Sequence, residues 1–192
     1  MSAQQRPSVD GAPAPVRARL CALLREEGGL IASLIDGAEP DEPAVQPAGE
    51  SPASVAARGP RAERCRDEYE LLVEAIYEGY LLHYGTPRVV RTPEADLRVL
   101  AGDRLYAIGL ARLVALGDTL AVAELADTIT LSALAQGAGD AELADAVWSA
   151  GARAVGWGSS EQHRRAKHLV AAGSSEAIEA MRTSALATPS TP

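Results

Sequence analysis

The stretch LRVLAGDRLYAIGLARLVALGD, running from Leu97 to Asp118, constrains this chain more than any other. At about 100° per residue, Arg98, Arg104 and Arg112 fall within roughly a third of a helix circumference, and most of what remains is apolar. The segment is therefore a helix set deep in a protein. Opposite the arginines, Leu113, Tyr106, Val99, Leu110, Val114, Ala107 and Leu100 form one arc, with Asp103 near its middle. This phase predicts a buried Asp103. A lone buried carboxylate costs several kcal/mol unless it is paired or hydrogen-bonded, so a partner on a neighbouring helix is expected. Gly102 and Gly109, seven residues apart on one flank, each forgo about 1 kcal/mol of helix propensity. Close approach of another helix is the expected compensation.

A chain built around such a helix needs others to cover it, and the composition agrees. Phe is absent, Ala and Leu dominate, and hydrophobic residues make up 47% of 192, enough for one helical domain with a real core and against a sheet rich in branched and aromatic residues. The expectation is an all-α bundle over residues 61–187. Its other major helix is Arg61 to Tyr84, with Tyr69, Leu72, Val73, Ile76, Tyr80 and His83 along one face and Asp67, Glu70, Glu74 and Glu78 as an acidic column on the other. Like charges at this spacing oppose the helix by a few tenths of a kcal/mol per pair, so a basic group elsewhere is expected to compensate. The column reads as solvated. A magnesium site on Asp67, Glu68, Glu70 and Glu74 is the minor alternative, and His83 reads as a core histidine.

Turn chemistry marks the remaining boundaries. Gly85-Thr86-Pro87 ends one helix; Thr92-Pro93-Glu94 starts the next, with the Thr92 hydroxyl as cap and proline at the first helical position. Gly117-Asp118 and Gly139-Asp140 each close one helix and cap another, and short turns imply antiparallel neighbours. Trp148 lies on the helix ending near Val155 and Trp157 in the turn Gly156-Trp157-Gly158, where the two are expected to plug the bundle's end. Ser159 or Ser160 and Ser174 or Ser175 cap two last, weakly apolar helices. His163 and His168, five apart, share no face and are expected in solvent.

Upstream, residues 1–14 read as a disordered arm, residues 15–35 as an amphipathic helix broken at Gly28-Gly29, and residues 36–60, with Pro40, Pro43, Pro47 and Pro52, as a mobile linker. Residues 188–192 form a tail. The formal charge of -8 argues against nucleic acid as the main partner. Cys21 and Cys65 stand far apart outside any metal-binding pattern, which suits a reducing cytoplasm. No export signal and no transmembrane segment is predicted.

Two adjacent runs carry a family resemblance. EAIYEGYLLHYGTPR at 74–88, followed by LRVLAGDRLYAIGLARLVALGD, resembles the polyprenyl diphosphate synthases, in which a helix ending Leu-Leu-His-Asp-Asp leads through a basic loop to a helix bearing Leu-Ala-Gly-Asp-Tyr-Leu. Leu81, Leu82 and His83 match the first motif and Leu100, Ala101, Gly102 and Asp103 the second, over roughly residues 65–136. Tyr84-Gly85 stands where the family has its aspartate pair, and the sequence contains no DDxxD. Ionising an allylic diphosphate needs divalent cations to neutralise the departing pyrophosphate, and neither Tyr nor Gly supplies a carboxylate.

What the resemblance implies is part of the isoprenoid synthase fold, without catalytic residues, metal or cofactor. The implied role is that of the small, non-catalytic subunit of heteromeric heptaprenyl- and hexaprenyl-type synthases, packed on a DDxxD-containing catalytic partner. By the same analogy Gly79 and Tyr80 occupy positions that gate chain length. Gly79, Tyr80, His83, Gly102, Asp103 and Gly109 are the structural and interface candidates. The alternative is a stand-alone helical adaptor derived from that fold.

Overall fold

The computed structural model describes residues 14–36 and 50–187. The expected arm, tail and residues 37–49 of the expected linker lie outside them, apart from Ala14 at the arm's edge. Every regular element among the described residues is helical: α1 (Val16–Glu27), α2 (Gly29–Asp36), α3 (Pro52–Ala57), a 3₁₀ turn at Pro60–Ala62, α4 (Arg66–Tyr84), α5 (Ala95–Ala115), α6 (Thr119–Gly137), α7 (Ala141–Trp157), α8 (Glu161–Ala171) and α9 (Ala177–Leu186).

The two Gly-Asp turns work through backbone geometry and one side chain each. Gly117 and Gly139 take φ of 78° and 76°, the left-handed region where a side chain would clash. Asp118 and Asp140 then accept from the N–H groups of Ala121 and Leu143, each at 2.9 Å, satisfying orphan donors at the new helix start. Thr92 stands two residues ahead of the helix cap, Glu94. Its hydroxyl accepts from Glu94 N, and α5 begins at Ala95. The N-terminal segment breaks at Gly28 into α1 and α2. Trp157, expected in a turn, is the last residue of α7.

Part of the expected linker is a packed element. Ser51 caps α3 through Ser54 N at 3.1 Å, Pro52 sits at the start where its missing N–H costs nothing, and Ala53 and Ala56 are fully buried. Small side chains let α3 lie flat on α7. A methyl on Gly156 would overlap the carbonyl oxygen of Ala56. The chain then passes through the 3₁₀ turn, so the second major helix starts at Arg66.

Apolar burial is divided among three clusters. One joins α3, α4, α6 and α7 around Tyr69, Ile76, Tyr80, Leu125 and Trp148. A second docks Leu20, Leu24, Ile31 and Ile35 of the N-terminal helices on Leu71, Leu82, Leu105 and Ile108. A third closes α6 to α9 around Val147, Ala166 and Met181. Leu20 and Leu24 are fully buried, worth about 1.5–3 kcal/mol each, which anchors α1 on the bundle.

α5 faces inward on a different side from the one its apolar arc predicts. Ala101, Gly102, Leu105, Ile108, Gly109 and Leu113 are buried, whereas Val99, Leu100, Ala107 and Val114 are exposed. The helix is turned by more than a third of a revolution from the expected phase. Contact with α4 decides this orientation: Gly109 lies against Ile76 and Leu72, Gly102 against Gly79 and His83, and Arg112 reaches Glu68. Rising numbers on one helix meet falling numbers on the other, so the pair is antiparallel. Close backbone contact outweighs burial of the bulkier arc.

Candidate functional site

Five of the six sequence candidates, Gly79, His83, Gly102, Asp103 and Gly109, meet at the α4–α5 seam, and Tyr80 faces α6 and α7 instead. A methyl on Gly102 would lie 2.5 Å from His83 Nε2 and 3.1 Å from Gly79 O; one on Gly79 would lie 3.0 Å from Gly102 O and the Tyr106 ring; one on Gly109 would lie 2.8 Å from Ile76 Cδ1. Those distances exclude any side chain without a shift. His83 stacks on Tyr106, ring centroids 5.3 Å apart and nearly parallel, with its Nε2 3.3 Å from Asp103 Oδ1. Asp103 therefore has the neighbour expected on another helix, but its side chain is 65% exposed. Burial of Asp103 is the expectation overturned, by the same rotation of α5. Tyr80 is buried on Tyr77 and Trp148, and its hydroxyl accepts from Gln136 Nε2 at 2.7 Å.

The acidic column divides into two halves. Asp67 is exposed and Glu70 pairs with Arg19, whereas Glu74 and Glu78 are buried at 1% and 0% exposure, contrary to the solvated column expected. One Glu78 oxygen accepts the backbone N–H groups of Arg88, Val89 and Val90 at 2.7, 2.6 and 3.2 Å, satisfying the loop before α5. Glu74 lies 2.9 Å from Arg88 Nη2 and 3.6 Å from Arg17 Nε, yet neither of its oxygens makes a hydrogen bond. Burial pushes its carboxyl above the usual range, against the pull of Arg88 and Arg17. Arginines 17, 19 and 88 are the basic compensation the column requires. The sequence signal for burial is Arg88 with the two valines that follow it.

Beyond Arg88 opens a cleft of about 1370 Å³ between α3, α4, α7 and α9. Tyr77, Leu81, Trp148 and Trp157 form its apolar wall, and Arg17, Arg58, Arg88 and Arg153 approach it from the sides. Arg88 lies over the Tyr77 ring at 5.0 Å and Arg153 over Trp157 at 3.9 Å. Behind Arg153, a void of about 10 Å³ is bordered by His163 and Ser184, room for one water. His163 is 4% exposed, its Nδ1 3.2 Å from Ser184 Oγ and its Nε2 3.3 Å from Glu124, so the expected solvent position is corrected. α8 turns this histidine inward because Ala166 and Val170 share its face.

Ser184 also donates to Met181 O at 2.9 Å, so this Ser–His–Glu contact serves to tie α9, α8 and α6 together. Among the described residues no three or more His, Cys, Asp or Glu converge as metal ligands, and no helix is long and apolar enough to cross a membrane. No protein-family model, curated protein or solved structure matches this chain.

Proposed function

We propose that this chain is a non-catalytic helical subunit that packs on a DDxxD-containing polyprenyl diphosphate synthase and helps to set its product length. The observation that supports this best is the outer face of α5. Leu100, Ala107, Ala111 and Val114, at steps of seven, four and three, point to solvent, and Leu116 and Leu120, on either side of the turn into α6, are exposed as well. An apolar row of this length on a surface helix suits a protein partner. It lies on the helix that bears the family-like Leu-Ala-Gly-Asp run, beside a partner helix that ends in Tyr84-Gly85.

Coexpression with a DDxxD-containing synthase from the same genome tests the reading. A complex should form and the chain length of the product should change. Leu100→Glu with Val114→Glu should abolish copurification while leaving the melting temperature of this chain within a few degrees, since neither side chain is in the core. If the wild-type chains do not associate and product length is unchanged, the proposal is wrong.

A further inference from the structure

We propose that the cleft between α3, α4, α7 and α9 binds an amphiphilic monocarboxylate, with its carboxylate on Arg153 and its apolar body along Tyr77, Trp148 and Trp157. This inference stands apart from the partner surface on α5.

Charge accounting within the cleft selects the ligand. Arg58 is held by both oxygens of Glu50, Arg88 faces Glu74 and Glu78, and Arg17 faces Glu74. Arg153 faces no carboxylate among the described residues. Its Nη2 reaches only Ala187 O, at 3.5 Å, and its Nε is buried without an acceptor. A guanidinium can keep its face on Trp157 while its edge donates in the plane to a carboxylate, because the two interactions are orthogonal. Trp148 supplies a second unpaired donor on the same wall: its indole nitrogen is buried without an acceptor in a side chain only 2% exposed.

The cleft's other features limit the ligand to one negative charge. Asp145, eight residues before Arg153 on the same helix and about 12 Å away along it, also lines the cleft and pairs with no cation among the described residues. It repels a second anionic group. The three neutralised arginines offer no excess charge for a diphosphate. An aromatic wall and a volume above the range usual for small ligands leave room for an extended apolar body.

Trp148 and Trp157 are the only tryptophans in the chain, and both line the cleft, so tryptophan emission, excited apart from the tyrosines, reports on this site. Titrating the full chain with dodecanoate below its micelle concentration should give a saturable change in emission, and dodecyltrimethylammonium, with the same tail and opposite charge, should give none. Arg153→Gln should weaken dodecanoate at least tenfold. Arg153→Lys, which keeps the charge and loses the planar fork, should fall between. Arg182→Gln, at an exposed pair with Glu142, should titrate as wild type, with circular dichroism verifying that each variant is folded. The proposal is overturned by an equal response to both amphiphiles, by no saturable response, by unchanged affinity in folded Arg153 variants, or by tighter binding of dodecyl diphosphate than of dodecanoate.

Discussion

On α5, two adjacent residues have opposite energetic weights. Gly102 has no room for one added carbon, with His83 2.5 Å from where a methyl would sit, while its neighbour Asp103 stands two-thirds in solvent. Overpacking at such a contact costs about 1–3 kcal/mol, and an exposed ion pair contributes at most about 1 kcal/mol. Gly102→Ala should therefore lower the denaturation midpoint clearly, and Asp103→Leu should match Arg104→Leu within about 0.5 kcal/mol. A larger loss for Asp103→Leu than for Gly102→Ala in chemical denaturation would put the carboxylate back in the core. The glycines and their close helix contact were legible in the sequence; the facing of Asp103 was not. An apolar arc ranks side chains by size, whereas the seam selects for their absence. The burial of Glu74 and Glu78 is hidden for a related reason, since a column of acids reads as solvated while its arginines, at distant positions in sequence, fold over it.

At the scale of elements, local chemistry was the readable part. Glycine in the left-handed region followed by a capping aspartate fixes two boundaries from one small side chain each, independent of the rest of the fold. α3 is hidden in the sequence because Pro52 can break a helix, whereas Ser51-Pro52 is also a helix-starting pair. Nothing in six residues indicates that their alanines meet a glycine about a hundred residues later. That contact is sharp enough to test. Gly156→Ala drives a methyl into the Ala56 carbonyl, which no side-chain rotation relieves, so α3 should lift from α7. Hydrogen exchange should show faster amides over residues 53–57 with α8 and α9 unchanged; undiminished protection in α3 would show that the backbone absorbs the methyl.

For the whole molecule, the partly buried Glu124 and the buried Glu74 set opposing dependences on pH. Burial pushes the Glu124 carboxyl up, but hydrogen bonds from His163 and Lys167 outweigh it and bring it down to about 2. A depressed value contributes stability above the unfolded value near 4.5, here about 3 kcal/mol, lost as pH falls towards 2. Glu74 has the opposite sign: burial raises it, so ionisation above pH 4.5 works against the fold and the penalty is relieved as pH falls through its folded value. Denaturation at pH 3, 5 and 7 should give the highest midpoint near 5 and a steep loss towards 3, and Glu74→Gln should flatten the profile from 5 to 7. A wild-type midpoint that rises steadily from 5 to 7 would show that Arg17 and Arg88 fully neutralise the carboxylate.

The three apolar clusters also imply an order of assembly. The cluster of α6 to α9 is closed by neighbours in sequence, a topology that forms quickly. α1 and α2 pack on α4 and α5 with few partners of their own. α1 and α2 are thus made before the helices they pack on, and until α5 is made the apolar face of Leu20, Leu24 and Ile31 is open to whatever else is in the cell.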